Sequence, residues 1–302
     1  MKNHAIKLLT LIISLFLCTS CTEANSTSVP QSYDIPASQK GTLEALTYQT
    51  YESFSYAKGT KTLTKKATVY LPYGYDENTP YDVFYLMHGD WGNETTELGT
   101  QSKPSNLKNI LDHAIQDGKI KPIIVVCPTF NNNSPQDSSN FSVAMQLTEN
   151  YHNELINDLM PAVENKYSTY AKELGLSEAR THRAFGGFSM GGIATWRTFQ
   201  YCLDYFYYFL PMSSDTTLND EKIFSSAKGR PLDSYFVFLA TGTEDYAFEY
   251  DDSRAKKMQE SEYFTKTNYR YFLRVGYAHD ETASNEYIYN GLMQFFPNTP
   301  SQ

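Results

Sequence analysis

The segment AFGGFSMGGIATW, residues 184–196, surrounds a single serine with four glycines. Its central part, GFSMG at residues 187–191, fits the G-x-S-x-G pattern, in which a nucleophilic serine occupies a strained turn between a strand and a helix. Glycine loses more backbone freedom on folding than any other residue, so four of them indicate a turn that larger side chains would obstruct. An apolar run precedes the pattern and a helix-compatible run follows it. We therefore predict that Ser189 is a catalytic nucleophile.

A serine hydroxyl is a weak nucleophile unless a neighbouring base removes its proton. Of the six histidines, His279 in GYAHDET follows the last predicted strand, from which a side chain can reach back over the end of a sheet. His88, in LMHGDWG, ends an earlier predicted strand, and we expect it to hold its loop in place. We predict that His279 is the base.

The base needs a carboxylate that fixes its tautomer and stabilises its protonated form. Asp245, in FLATGTEDYAF after the penultimate predicted strand, is the preferred acid. Asp215, in PMSSD after the preceding predicted strand, is the alternative. The order Ser189, Asp245, His279 along the chain is the order found in α/β hydrolases.

Negative charge that develops on the substrate oxygen must meet hydrogen-bond donors that are already in position. The Met190 amide lies at the start of the helix predicted after Ser189, where backbone N–H groups lack partners within the helix. A second donor is expected from the loop after FYLMHG. We prefer the Asp90 amide for this role, with the Trp91 amide as the alternative.

Short apolar runs of strand type alternate with stretches of helical period, and these elements must position the side chains named above. The runs are EALTYQTYESFSY, KATVYLP, YDVFYLMHG, PIIVVCPTF, HRAFGGFS, YYFLPMSS, SYFVFLATG and YRYFLRVG. The middle runs are continuously apolar, which is typical of strands covered on both faces. The alternation predicts an α/β fold with a mostly parallel eight-stranded sheet and helices on both faces. Functional groups collect at the carboxyl ends of the strands in such sheets.

Apolar spacing predicts helices around residues 107–115, 155–163, 191–203, 253–264 and 288–295. Pro161 is expected to kink or divide the second of them. The polar segment TFNNNSPQDSSNFSVAMQ, residues 129–146, predicts a long loop after a central strand. Long loops in compact domains are often functional, so we expect this one to line the substrate pocket, with Phe141 and Trp91 as platforms for the substrate. The alternative is a mobile surface loop.

The first residues of the chain predict that the protein is located outside the cytoplasm. Residues 1–20 resemble a secretory signal, in which Lys2 and Lys7 precede or border an apolar run too short to cross a bilayer. Small residues before Cys21 indicate a bacterial lipoprotein, with Cys21 lipidated and anchored to the cell envelope; ordinary secretion is the alternative. Residues 21–44, rich in Ser, Thr, Pro and Asn, predict a flexible tether. We predict that residues 45–299 form one enzyme domain.

Charge and cysteine content limit the partners. The net charge is −9, and loss of Lys2 and Lys7 with the signal makes it −11. An acidic surface repels nucleic acid and anionic lipid, so we expect no nucleic-acid partner and membrane contact only through a lipid at Cys21. Cys127 and Cys202 lie in or after apolar elements and predict buried thiols, with a disulfide between them as the alternative. No His/Cys cluster has the spacing of metal ligands.

The motifs VFYLMHGDWGNE, GGFSMGG, GTED and AHD together resemble carbohydrate esterase family 1, the esterase D-like branch of the α/β hydrolases. The resemblance covers residues 45–297 and implies an α/β-hydrolase fold. It implies a catalytic triad of Ser189, His279 and Asp245. It also implies an oxyanion hole formed by the backbone amides of Met190 and Asp90. The loop His-Gly-Asp-Trp-Gly departs from the feruloyl esterase pattern, in which an apolar residue and more glycines are frequent.

The same resemblance implies hydrolysis of an ester between a small acyl group and a plant cell-wall polysaccharide, without a metal or organic cofactor. Feruloyl (cinnamoyl) esterase is the preferred activity, and acetyl xylan esterase is the first alternative. An acyltransferase on the same scaffold and an inactive surface-anchored binding protein are the others. The complete set of candidate triad residues argues against the binding protein.

Overall fold

The computed structural model describes residues 27–132, 134, 136–216 and 218–297. The predicted signal over residues 1–20 and the predicted lipidation at Cys21 lie outside these residues. Within the described ranges, no helix is both long enough and apolar enough to cross a membrane.

The described residues contain ten strands, eight of which form one sheet. The strands are β1 (Thr42–Tyr51), β2 (Thr62–Leu71), β3 (Asp82–Met87), β4 (Gly99–Thr100), β5 (Lys103–Pro104), β6 (Ile123–Cys127), β7 (Arg183–Phe188), β8 (Tyr208–Met212), β9 (Phe236–Gly242) and β10 (Tyr269–Arg274). The sheet has the order β1-β2-β6-β3-β7-β8-β9-β10, and β4 pairs only with β5. The pairs β1–β2 and β2–β6 are antiparallel, and the other neighbours are parallel. The predicted mostly parallel eight-stranded sheet is confirmed.

Helices cover both faces of this sheet. They are α1 (Asn106–Gln116), α2 (Phe141–Glu154), α3 (Met160–Lys166), α4 (Ala171–Leu174), α5 (Met190–Cys202), α6 (Asp220–Phe224), α7 (Phe248–Glu260) and α8 (Glu281–Leu292). Helices α1 and α8 pack on one face, and α2, α3, α5, α6 and α7 pack on the other. A π-helical turn, Leu155–Leu159, joins α2 to α3, and Pro161 lies in the first turn of α3. The backbone stays helical from α2 through this turn into α3, so Pro161 is accommodated in a first turn and does not divide the helix.

The continuously apolar strands are explained by the two helical layers. All six residues of β3 are buried. Phe84 and Leu86 face α1 and α8, whereas Val83, Tyr85 and Met87 face the other layer, as the period of two along a strand requires. Both faces of the central strands are therefore removed from water, which stabilises the sheet through apolar burial.

Several predicted boundaries differ from the structure, including that of the helix predicted at 288–295, which is α8 and begins seven residues earlier. The run EALTYQTYESFSY is a strand only to Tyr51, because the Glu52 side chain accepts from the Ser55 amide and starts a 3-10 helix. The predicted loop 129–146 ends at Asn140, whose side chain accepts from the Val143 amide and caps α2. Residues 141–146 are thus helical rather than loop. The helix predicted at 253–264 is α7, which begins five residues earlier.

The segment predicted as a tether, residues 21–44, is packed on the domain from Thr27 onwards. The amides of Thr27 and Val29 donate to side-chain oxygens of α8 at 3.2 and 2.9 Å. Tyr33 is only 2% exposed, and its hydroxyl donates to Asp117 at 2.6 Å. The tether prediction is therefore wrong for the described part of this segment, because one buried aromatic side chain and a few backbone hydrogen bonds fix it despite its polar composition.

Candidate active site

Ser189 occupies a sharp turn between β7 and α5. Its backbone has φ 59° and ψ −121°, a conformation that a residue with a side chain adopts at a cost of about 1–3 kcal/mol. The Ser189 amide donates to the Met212 carbonyl at the end of β8, at 2.9 Å, which ties the turn to the neighbouring strand. Ser189 thus has the backbone geometry expected of a nucleophile elbow.

The glycines around Ser189 are required by close backbone contacts. A Cβ on Gly187 would lie 2.6 Å from the carbonyl oxygen of Met87, and one on Gly191 would lie 2.3 Å from the same oxygen. A Cβ on Gly192 would lie 2.6 Å from the Met212 carbonyl oxygen. Contacts this short force the backbone to move, so the elbow can sit between β3 and β8 only if these positions lack side chains.

His279 and Asp245 meet at the carboxyl edge of the sheet. Asp245 follows β9, His279 follows β10, and their Oδ1 and Nδ1 atoms are 2.8 Å apart. Burial tends to raise the pKa of Asp245, but hydrogen bonds from His279 and from the Ala247 amide outweigh burial and lower this pKa. The carboxylate is therefore charged at neutral pH and can orient the Nδ1–H of His279.

The alternative acid, Asp215, also lies near His279. Burial raises the pKa of Asp215, and the nearby His279 opposes that shift. The His279 Nδ1–H, however, donates its hydrogen bond to Asp245. Of the two candidate acids, the structure pairs Asp245 with the base.

Two aromatic rings contact the imidazole of His279. The Phe188 ring lies 4.4 Å from it, centroid to centroid, and the Tyr246 ring stacks on it at 4.1 Å. The Tyr246 hydroxyl also lies close to Ser189, which acts to lower the pKa of Tyr246 against the larger raising effect of burial. Sequence reasoning missed both rings. The available signal was their position, directly before the predicted nucleophile and directly after the predicted acid.

The loop after β3 passes directly beside the nucleophile. A Cβ on Gly89 would lie 3.2 Å from the Ser189 Cβ. The Trp91 amide donates to the Ser138 carbonyl at 3.1 Å, so it is already engaged and does not favour the alternative oxyanion donor. Met190 is the first residue of α5, where an amide has no partner in the preceding helical turn. These placements favour the Met190 and Asp90 amides as the donors.

The His88 side chain supports the same loop. It is buried, with Nδ1 2.7 Å from the Gly89 carbonyl and Nε2 2.8 Å from the Thr129 hydroxyl. A carbonyl can only accept, so Nδ1 carries the proton and Nε2 accepts from Thr129. Burial lowers the pKa of His88 to about 4, which keeps the ring neutral. Its surroundings fit the expected role of supporting the loop.

The carboxyl group of Asp90 is in an unfavourable setting for a charge. Burial raises its pKa to about 6, and the neighbouring Asp215 adds to the shift. The next residue, Trp91, has φ 64° and is 79% exposed. A strained, exposed aromatic side chain next to a perturbed carboxyl group is characteristic of functional sites.

The two predicted substrate platforms lie on joined segments. Phe141 is the first residue of α2 and is exposed. The Ser138 hydroxyl donates to the Gly92 carbonyl at 2.8 Å, which links the chain before Phe141 to the Trp91 loop.

Cys127 and Cys202 are buried free thiols, so the alternative of a disulfide between them is not observed. In the part of the chain that is described, no group of three His, Cys, Asp or Glu side chains could hold a metal ion.

Known proteins are similar to this sequence. A family model described as "Putative esterase" matches residues 63–284. Endo-1,4-beta-xylanase Y of Acetivibrio thermocellus is 37% identical over 284 residues, which are 88% of this chain and 24% of that protein. Endo-1,4-beta-xylanase/feruloyl esterase of Xylanibacter ruminicola is 37% identical over 134 residues, 43% of this chain and 16% of that protein. The chain spans about a quarter or less of the length of these curated relatives.

Solved structures share the fold. A mutant of the feruloyl esterase module from Clostridium thermocellum, complexed with sinapinate, is 36% identical with a TM-score of 0.77, covering 92% of this chain and 95% of that one. A CE1 ferulic acid esterase from Anaeromyces mucronatus is 22% identical with a TM-score of 0.69, covering 88% of this chain and 96% of that one, and shows the fold alone. These likenesses confirm the predicted α/β-hydrolase fold and the predicted resemblance. The chain belongs to the esterase family of α/β hydrolases that contains the feruloyl esterases of carbohydrate esterase family 1.

Proposed function

We propose that this protein is a serine esterase that removes feruloyl groups from plant cell-wall polysaccharide. The observation that carries the proposal is the hydrogen-bonded His279–Asp245 pair beside the strained elbow at Ser189. Relatives with 36–37% identity whose names include feruloyl esterase support the choice of acyl group. No metal or organic cofactor is needed for this chemistry.

The geometry supports a two-step acyl transfer. Ser189 Oγ attacks the ester carbonyl carbon while His279 Nε2 takes its proton, and Asp245 keeps the opposite ring nitrogen protonated. The oxygen of the tetrahedral intermediate accepts hydrogen bonds from the amides of Met190 and Asp90. Collapse breaks the ester bond, and His279 protonates the departing sugar oxygen. Water, deprotonated by His279, then attacks the acyl-enzyme, and His279 returns the proton to the departing Ser189 Oγ as the carboxylic acid is released.

The test is the ratio of kcat/KM for methyl ferulate and for an acetylated xylo-oligosaccharide. Ser189→Ala should lower either rate by about 10³–10⁶-fold while circular dichroism stays unchanged. Preference for the acetyl ester would replace the proposed activity with acetyl xylan esterase. Predominant transfer to added alcohols would indicate an acyltransferase, and wild-type rates in Ser189→Ala would contradict a serine esterase altogether.

We further propose that the protein is anchored outside the cytoplasm through a lipid on Cys21. The charged start, the short apolar run and the small residues before Cys21 support this. Expression with radiolabelled palmitate in a bacterium should label the wild type and leave Cys21→Ser unlabelled. Equal labelling of both proteins would exclude Cys21 as the lipidation site, and labelling of neither would favour ordinary secretion.

A further inference from the structure

Two aromatic rings contact the imidazole of His279. One belongs to the residue before the nucleophile and the other to the residue after the acid. Phe188 directly precedes Ser189 and lies at 4.4 Å with an interplanar angle of 42°. Tyr246 directly follows Asp245 and lies at 4.1 Å with an angle of 29°. The ring plane of the base is thus tied, through one peptide unit on each side, to the nucleophile and to the acid.

The two rings face different surroundings. Phe188 is partly buried and contacts Tyr287 of α8, with 6.4 Å between ring centroids. Tyr246 is 61% exposed. Phe188 therefore supports the imidazole from the protein side, and Tyr246 covers it from the solvent side.

The hydrogen bond between His279 Nδ1 and Asp245 fixes one edge of the imidazole and leaves the ring free to tilt about that bond. The stacked Tyr246 ring and the tilted Phe188 ring restrict this tilt, because rotation of the imidazole would bring its atoms into contact with theirs. The π face of an aromatic ring also attracts a positive charge, so the clamp favours the protonated base that forms during ester attack.

We propose that Phe188 and Tyr246 form an aromatic clamp that directs His279 Nε2 at Ser189 and stabilises the protonated imidazole. The clamp rests on the proposed function, since it gives His279 the role of proton acceptor. Tyr246 is a positioning residue in this scheme and acts through His279.

The charged groups around His279 must stay constant in a test of the clamp. Asp245 and Asp215 face it from the segments after β9 and β8, Asp90 lies beside Asp215, and Asp280 follows in the chain. Tyr246→Leu leaves all four carboxyl groups in place and keeps an apolar side chain over the imidazole. Tyr246→Phe keeps the ring and removes only the hydroxyl.

The kinetic test compares these two variants on methyl ferulate, with Tyr250→Leu as a control on an exposed tyrosine of α7. Tyr246→Leu should lower kcat about tenfold with KM within about twofold, and shift the acid limb of the kcat/KM pH profile down by about half a unit. Tyr250→Leu should stay within about twofold of wild type, and Tyr246→Phe, which keeps the ring, should lose clearly less activity than Tyr246→Leu. A raised KM with an unmoved acid limb would make Tyr246 a substrate platform and overturn the clamp. Equal losses in the Phe and Leu variants would assign the effect to the hydroxyl and also overturn it.

A second readout does not depend on catalysis. In the Ser189→Ala background, the His279 ring protons can be followed by NMR, with His279→Gln giving the assignment. Tyr246→Leu should move the His279 titration midpoint down by about half a unit and remove the ring-current shift of the stacked tyrosine. An unchanged midpoint and an unchanged chemical shift would refute the clamp. If the wild type hydrolyses neither ester, the proposed function fails and this measurement still decides the clamp.

Discussion

At the scale of single residues, the carboxyl groups near His279 differ in their surroundings. Asp245 accepts from both His279 and the Ala247 amide, which lowers its pKa. Burial raises the pKa of both Asp215 and Asp90, and the nearby Asp215 adds to the shift at Asp90. The surroundings thus stabilise the charged form of Asp245 and destabilise the charged forms of Asp215 and Asp90. This difference assigns separate roles to acidic residues that are hard to rank from sequence.

The first prediction separates the two candidate triad acids. Asp245→Asn should lower kcat on methyl ferulate by about 10⁴-fold, because an amide does not hold His279 in the required tautomer. Asp215→Asn should lower kcat less than about tenfold, since its side chain does not bond the imidazole. Steady-state kinetics on both purified variants provides the measurement. The reverse ranking would make Asp215 the acid.

The second prediction concerns the pH dependence of stability at Asp90. Its pKa is about 6 in the folded protein, against about 3.9 in an unfolded chain. The folded state holds this proton more tightly, so the group destabilises the fold progressively as the pH rises from about 4 to about 6. Asp90→Asn should therefore raise the Tm at pH 8, and the gain should shrink towards pH 4. A gain of equal size at both pH values would contradict the assigned cause.

At the scale of elements, the turn from β7 into α5 depends on the absence of side chains next to β3. Gly191 lies inside α5, where alanine is normally favoured over glycine by about 1 kcal/mol. The contact between an added Cβ and the Met87 carbonyl, at 2.3 Å, acts in the opposite direction. Packing here overrides helix propensity.

The third prediction follows from that contact. Gly191→Ala should destabilise the protein by about 3 kcal/mol in urea unfolding, because either β3 or the elbow must move. Gly118→Ala is the matched control, since Gly118 has φ 65° but open space around it. It should cost about 1 kcal/mol from backbone strain alone. Similar losses in the two variants would mean that the contact with β3 is not the cause.

The elements were predictable to different degrees. All eight strands of the main sheet coincide with predicted runs. The central strands β3, β6 and β8 are buried on both faces and leave a continuous apolar signal, whereas the edge strand β1 alternates between buried and exposed residues. The start of α2 was missed because the cap at Asn140 lies in a run of polar residues that is equally typical of loops. The buried side chains of Ala144, Leu147 and Tyr151, at helical spacing, were the available signal.

The candidate site was predictable where chain position decides it. Ser189, Asp245 and His279 each follow a strand of the parallel sheet, so their approach to one another follows from topology. The stacking of Phe188 and Tyr246 on His279 depends on side-chain rotamers and on the spacing of neighbouring loops. No pattern in the sequence reports those two quantities.

At the scale of the whole molecule, the chain from Thr27 onwards extends the two-helix face of the domain. Tyr33 stacks on His113 of α1 at 4.6 Å and contacts Tyr289 of α8 edge-on at 6.1 Å. It therefore fills the groove between the two helices that cover this face. The segment contributes to the core although its composition is polar.

The fourth prediction tests that contribution. Tyr33→Ala should lower the free energy of unfolding by roughly 3 kcal/mol, through lost burial and the lost hydrogen bond to Asp117. Tyr73→Ala, at an exposed tyrosine, should change it by less than about 0.5 kcal/mol. Urea unfolding of both variants gives the comparison. Equal stability of Tyr33→Ala and wild type would show that the segment detaches at little cost.

The docking of Thr27 on α8 sets a limit on how far the domain can stand from a lipid anchor. Six residue steps separate Cys21 from Thr27, and a chain of that length spans about 20 Å at full extension. With the proposed lipid on Cys21, the part of α8 that binds Thr27 would stay within about 20 Å of the bilayer, so the domain could not extend far from the cell surface.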